Sequence, residues 1–540
     1  MQNEYTQKVL DLVDWIKAVC THWWLWWEAS EYKIVTQSFL YKFLNDKFLH
    51  ELKKLHPERD EENYESIPKD EWTEMLEYEM GNKAAHFQPQ YLLTSLFKRQ
   101  DNSDFAATFD DSLHALAVEN NEIFSVHTEW NTDIRLFDDR LIQSSFSDAN
   151  KWNLVAKQII NKLAKTKFNF EEIFNAWFDF FSTIFEYMIK DYNKDWWWKY
   201  AEYYTPHSVA KIIAEILVGD DDVKNVTVYD PAAWSGTLLM NLASKIWTNN
   251  CTIYSQDISQ KSSNLLRLNL ILNNLTHSIN NIVQWNTILN DRHANQKMDY
   301  VVSNPPFKLD FSDWRDEADA LPKERFFAWV PKIPNKDVDK MAIYLLFIQH
   351  ILYSLSDTWK AAIVVPTGFV TAQSWIEKNI REKIVDKNWL KWVVSMPSNI
   401  FATTNTSVSV IFIDKTRKDW EKVILVDASK LWETIKEWKN QKTYLRDNEQ
   451  QKIIDAFKNM EVIEDFSVEV TNDQIKEKNY SRSAGQYYEV KIKHVDITAE
   501  EFENRMTNYK SSLKNSFLEW WKLENEIFNQ LNELWYDLWK

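Results

Sequence analysis

"VTVYDPAAWSGTLLM", residues 226–240, decides the fold. Val226, Val228 and Tyr229 read as a strand that ends at Asp230, a Pro/Ala/Ser/Gly turn follows, and a helical run opens at Thr237. Strand, tight loop and helix form the unit from which doubly wound α/β sheets are built. In such a loop the backbone lies close to a ligand, and the free N–H groups of the helix's first turn can meet a carboxylate. Trp234 does not suit that loop, because it places an indole where glycine is expected.

Downstream, short β-like runs alternate with helical ones at 225–229, 251–256, 281–284, 298–303, 361–365 and 391–396, which predicts a Rossmann-like, doubly wound α/β domain over 166–490. "SVSVIFIDK" (407–415) and "KVILVDAS" (422–429) have no helix between them and are expected to form an antiparallel pair at the sheet edge. Ahead of this domain, Ile34, Val35, Phe39, Leu40, Phe43, Leu44, Phe48, Leu52 and Leu55 recur at helical spacing, so residues 1–165 are expected to be a mainly helical N-terminal domain, with a further helix over 171–190. A C-terminal helical tail, 491–540, carries Phe502, Met506, Tyr509, Leu513, Phe517, Ile527, Leu531 and Leu534. Their spacing of three and four suits either a coiled-coil partner helix or packing on the chain's own domain.

The composition is that of a foldable chain, 45% apolar and 26% charged over 540 residues, with one inversion: 5 glycines stand against 28 tryptophans. A chain of this length ordinarily holds about 38 glycines. The tryptophans cluster in linker-like contexts, "HWWLWWEAS" (22–30), "KDWWWKY" (194–200) and "LEWWKLE" (518–524). This points to a conceptual translation in which UGA is read as Trp although the source lineage reads it as Gly. A genuinely Trp-rich protein with aromatic belts is the competing reading, but belts flank apolar spans of about 20 residues, and the sequence has none.

The net charge of −17 repels nucleic-acid phosphates unless basic residues gather locally or a partner supplies them. Cys20 and Cys251 stand in no metal-binding or disulfide spacing, and no metal site is expected. The start "MQNEYTQKVL" lacks a signal-peptide pattern, so a cytoplasmic location and no membrane span are expected.

Ligands of a doubly wound sheet bind beyond the carboxyl ends of the strands. Asp230, Asp257, Asn286 and Asn304 fall, in that order, at or just after the ends of successive β-like runs. Each alone reads equally as a turn former; the four together read as a site. Asp257 can accept hydrogen bonds from ribose hydroxyls. In "SNPPF" (303–307) the side-chain oxygen of Asn304 and the carbonyl of Pro305 can accept both hydrogens of an adenine amino group, leaving its lone pair for an electrophile. The prolines 305 and 306 stiffen that carbonyl, and Phe307 offers a face for stacking. A base in duplex DNA reaches such a site only by flipping out.

Here "NPPF", "DPAAWSG" read as DPAAGSG, and "AEYYTP" (201–206) resemble the signature of AdoMet-dependent DNA adenine N6-methyltransferases. More specifically, "SEYKIVTQSFLYKFLNDKF", "DKMAIYLLFIQHIL", "AAIVVPTGF" and "NIFATTNTSVSVIFIDK" fit, in order, the modification (M) subunit of type I restriction-modification systems. The resemblance implies S-adenosyl-L-methionine as cofactor, with Tyr204, Thr205, Pro206, Asp230, Pro231, Ala232, Ala233, Trp234, Ser235 and Gly236 around its methionine part, Asp257 at the ribose and Asn286 at the adenine ring. The family often has an acidic residue at position 286. Asn304, Pro305, Pro306 and Phe307 would be catalytic. The partners implied are double-stranded DNA with a flipped adenine, a specificity (S) subunit and a restriction (R) subunit, in a hetero-oligomer with two M chains per S chain. Trp234 departs from the pattern, and glycine is expected there and possible at Trp285. Three alternatives stay open: a self-sufficient adenine methyltransferase of another defence system, a glutamine methyltransferase using the same Asn-Pro-Pro-aromatic logic, and a non-catalytic scaffold in which Trp234 is genuine.

Overall fold

A computed structural model of the chain describes residues 2–22, 28–59, 61–128, 133–137, 140–166, 205–401, 407–431, 433–437, 440–488 and 498–533. The expected helix over 171–190, Trp196 to Trp198, Tyr204 and Leu534 lie outside them. The chain divides into two compact units, Met1–Tyr488 and Glu489–Lys540.

Among the described residues, the strands of the first unit are β1 (Val126–Thr128), β2 (Asp133–Ile134), β3 (Val226–Asp230), β4 (Cys251–Asp257), β5 (Ile282–Gln284), β6 (Met298–Ser303), β7 (Leu355–Pro366), β8 (Leu390–Ser395), β9 (Val408–Asp414), β10 (Val423–Asp427), β11 (Glu433–Glu437), β12 (Asn440–Tyr444) and β13 (Ser467–Val470). Eleven of them form one sheet in the order β13-β10-β8-β9-β7-β6-β3-β4-β5-β1-β2; β11 and β12 pair separately. Strands β3 to β7 are parallel neighbours, as alternating strand and helix require. The chain winds from β3 outward through β4 to β5, then crosses to the other flank of β3 at β6. That reversal makes the ends of β3 and β6 the switch point.

The strands are apolar on both faces because both faces are covered. Val228 belongs to one buried cluster, with Phe39, Phe43 and Leu266, and the next residue, Tyr229, to another, with Ile348 and Ile384. The N-terminal region is helical, as Glu28–Leu55, Phe105–Glu119 and Ala149–Lys165 illustrate. It also contributes β1 and β2, of which β1 runs parallel to β5.

The expected antiparallel edge pair of 407–415 with 422–429 does not form. β9 lies between β7 and β8, antiparallel to both, whereas β10 runs parallel to β8 and is covered by β13. Every residue of β9 is buried, and Val408, Val410, Ile411, Phe412 and Ile413 give it apolar contacts on both faces, which an interior position satisfies better than an edge.

The second unit contains the helix Ala499–Glu533. Phe502, Met506, Tyr509, Leu513, Phe517 and Ile527 are exposed on it, as are Trp520 and Trp521. Among the described residues no helix is long and apolar enough to cross a membrane.

Candidate active site

The loop after β3 is fixed at nearly every residue. Asp230 Oδ1 accepts from the Ala232 N–H at 2.9 Å and from the Ser303 hydroxyl at 2.7 Å. The Thr287 hydroxyl donates to the Pro231 carbonyl at 2.8 Å, and Asn269 Nδ2 to that of Ser235 at 3.0 Å. Gly236 N–H closes the turn on Ala233 at 2.7 Å. Gly236 sits at φ 80, ahead of the helix Thr237–Ile246, and a Cβ there would lie 2.2 Å from Leu266 Cδ1. Only glycine meets both demands.

Asp257, at the end of β4, reaches back to this loop: its Oδ2 accepts from the Trp234 N–H at 3.1 Å and its Oδ1 from Ser259 N–H at 2.8 Å. Burial raises the Asp257 carboxyl above the ordinary carboxylate range, against the pull of those N–H groups. Burial likewise pushes Asp230 up to about 7, opposed by the Ala232 and Ser303 bonds and assisted by the neighbouring Asp257. Burial thus holds the carboxyls at the ends of two neighbouring strands, Asp230 and Asp257, above the ordinary carboxylate range.

After β5, Asn286 uses its Oδ1 on its own loop, accepting from Ile288 N–H at 3.0 Å and Leu289 N–H at 3.3 Å. At the end of β6, Asn304 and Pro305 are buried, while Pro306 and Phe307 are half-buried. Thr205, Asp230, Ala232, Ala233, Trp234, Ser235, Thr237, Leu238 and Asn304 surround one cavity, so the upstream Thr-Pro element, the β3 loop and the Asn-Pro-Pro segment converge. Phe307 is not among its walls. Its ring meets Tyr344 edge-on, centroids 6.4 Å apart, and Tyr344 meets Phe369 edge-on at 5.9 Å. Ser303, Thr287, Tyr344 and Phe369 were not singled out from the sequence; Ser303, directly ahead of Asn304, was the one within reach of a motif argument.

The cavity measures only 10 Å³, room for about one water. With the indole of Trp234 as one of its walls, this space leaves no room for the methionine end of the cofactor. Trp234 also has φ 47, in the region that favours glycine. Trp247 and Trp329 share this conformation, with φ 78 and 71, and both are exposed. Trp247 occupies the position just past the helix Thr237–Ile246, where glycine is the usual terminator. Trp285 lies outside the positive-φ region, with the Arg292 guanidinium over its ring at 4.6 Å. By contrast, Trp72 is fully buried and donates to the Phe87 carbonyl at 2.9 Å, and Trp152 donates to that of Phe146 at 2.7 Å.

The inner strands β5-β4-β3-β6-β7-β9-β8, with β9 alone reversed, and the acidic ends of β3 and β4 define a class I methyltransferase-like fold. The methyltransferase subunit of the type I restriction-modification system from Streptococcus thermophilus shares it, with a TM-score of 0.72 at 21% identity over 91% of this chain and 100% of that one. The chain belongs to the N-6 DNA Methylase family, which matches residues 177–495. It is 28% identical over 355 residues to the methylase subunit of the type I restriction enzyme MpnII of Mycoplasma pneumoniae, covering 62% of this chain. It is 29% identical over 396 residues to that of MjaIX of Methanocaldococcus jannaschii, covering 70% of this chain. The matched stretches span 63% and 66% of those two relatives, just under two thirds.

Proposed function

We propose that this chain transfers a methyl group from S-adenosyl-L-methionine to N6 of a flipped adenine in double-stranded DNA, as the methylase subunit of a type I restriction-modification complex with specificity and restriction subunits. The observation that carries the reading is the convergence of Asp230 and Asn304 on one cavity, joined by the Ser303–Asp230 bond, in a chain of the N-6 DNA Methylase family. In this reading position 234 is glycine in the natural polypeptide, which removes the indole from the loop, and Trp247 and Trp329 are recoded glycines too.

With glycine at 234, Thr205, Pro206, Asp230 and the loop to Gly236 hold the methionine part of the cofactor, Asp257 the ribose, and the loop of Asn286 the adenine ring. Tyr204 is assigned to the same contact. The cofactor supplies an electrophilic methyl group. Asn304 and the Pro305 carbonyl accept the amino hydrogens of the target base and orient its lone pair; neither needs to be a strong base. Phe307, backed by Tyr344 and Phe369, offers a stacking face that offsets part of the unstacking cost of a few kcal/mol. The exposed apolar stripe of Ala499–Glu533 fits a helical partner and is assigned to the contact with the specificity subunit, in an assembly of two methylase chains per specificity chain.

The test is methyl transfer from labelled AdoMet to duplex DNA by the Trp234→Gly chain with the specificity subunit encoded beside it. Transfer to adenine N6 that disappears in an Asn304→Ala variant is expected. Full transfer without the partner would favour a self-sufficient enzyme. The 10 Å³ cavity favours a scaffold if Trp234 is genuine; AdoMet binding by the unaltered chain would overturn that.

A further inference from the structure

We infer that Arg325 is a positioning residue, setting from beneath the loop that receives the adenine ring of the cofactor; this rests on the function proposed above. Arg325 lies in the segment after the Asn-Pro-Pro motif and is buried. Its Nη1 and Nη2 donate to two successive carbonyls of the loop after β5, Ile288 at 2.8 Å and Thr287 at 2.5 Å. A planar guanidinium fits this forked contact, and an ammonium cannot reproduce it. Its third donor, Nε, reaches His350 Nδ1 at 3.0 Å.

His350 is fully buried on the helix Tyr344–Ser354, with Nε2 3.1 Å from the Tyr229 hydroxyl. Since Nδ1 accepts from Arg325, the neutral ring carries its proton on Nε2 and donates it to Tyr229. Burial and the neighbouring Arg325 charge hold His350 well below its ordinary pKa, so the ring stays neutral. Tyr229 directly precedes Asp230. On the other side, the Thr287 hydroxyl bridges to the Pro231 carbonyl at 2.8 Å and the Gln256 carbonyl at 3.3 Å. Arg325 thus ties the Asn286 loop, through His350, to the helix Tyr344–Ser354 and to Tyr229 of β3, while the Thr287 hydroxyl ties the same loop to Pro231 and β4. It touches no reacting atom, so its effect falls on cofactor affinity rather than on the chemical step.

The experiment measures AdoMet Kd by equilibrium dialysis, and KM and kcat of the assembled enzyme, for the full Trp234→Gly chain and for Arg325→Met, Arg325→Lys and Thr287→Val in that background. Arg325→Met is expected to raise Kd and KM by about tenfold or more while kcat at saturation stays within about threefold. Arg325→Lys should recover part of the loss, and Thr287→Val, which keeps its shape, should shift Kd the same way. A variant with unchanged Kd, or a loss confined to kcat, overturns the assignment alone. Failure of the parent chain to bind AdoMet overturns the proposed function, and the assignment with it. If Arg325→Met does not fold, Arg325→Lys decides, and an unchanged Kd in it overturns the assignment.

Discussion

The Ser303 hydroxyl donates to the Asp230 carboxylate across 2.7 Å, fastening the residue ahead of Asn304 to the one that ends β3. One bond thereby couples the proposed target-base motif to the proposed cofactor loop. Ser303→Ala should lower kcat by about tenfold, and Asn304→Ala by about a hundredfold or more. Asn304→Ala should lower kcat far more than it raises AdoMet Kd, whereas Ser303→Ala, which takes a donor from Asp230, should raise Kd as well. Single-turnover methylation beside equilibrium binding separates the two quantities, and an Asn304→Ala enzyme with ordinary turnover would remove the residue from the chemistry.

Asp230 makes stability depend on pH. Its folded pKa of about 7 lies above the unfolded value of about 3.9. The folded state therefore holds the proton more tightly, so this group's stabilisation is complete below about pH 4 and is lost as pH rises through about 7. Urea midpoints taken from about pH 5 to pH 8 should fall with pH, and less steeply in Asp230→Asn. Identical slopes in the two proteins would count against the assignment.

The tryptophans divide by conformation. Trp247→Gly and Trp329→Gly should each stabilise the chain by about 1 kcal/mol, since each relieves a left-handed backbone. Trp72→Gly should cost about 3–5 kcal/mol, because it opens a cavity and leaves the Phe87 carbonyl without its donor. Thermal denaturation checks the signs. Peptide mass spectrometry of the native protein should find glycine at 234, 247 and 329 and tryptophan at 72 and 152; tryptophan at 234 would defeat the recoding.

The tail is testable apart from the chemistry. Leu513→Glu with Phe517→Glu places charges in the exposed stripe, so co-purification with the specificity subunit should fall by about tenfold or more while AdoMet binding is unchanged. Undiminished co-purification would move the contact elsewhere.

Much of this was legible in the sequence because local pattern and local structure coincide there. The β3 run, the turn and the helix from Thr237 stand where the alternation of apolar and turn residues puts them. Asp230 and Asp257 end β3 and β4, and Asn304 directly follows β6, as the succession of β-like runs places them. The pairing of β9 was not legible, because nothing within 408–414 says which strands lie beside it. Nor was β1, only three residues long and held by β5 far along the chain. Arg325 and Thr287 escaped for a similar reason: their meaning lies in carbonyls that only folding brings to them.

The inserted strand β9 also constrains the order in which the chain can be built. β7 and β8 are synthesised before it yet share no ladder; each waits for residues 408–414 to arrive between them. A nascent chain stopped short of residue 408 would carry β7 as an open, apolar edge, able to add a strand from any neighbouring chain. The late arrival of seven buried residues thus separates a growing chain prone to associate with its own kind from one whose sheet is closed on that side.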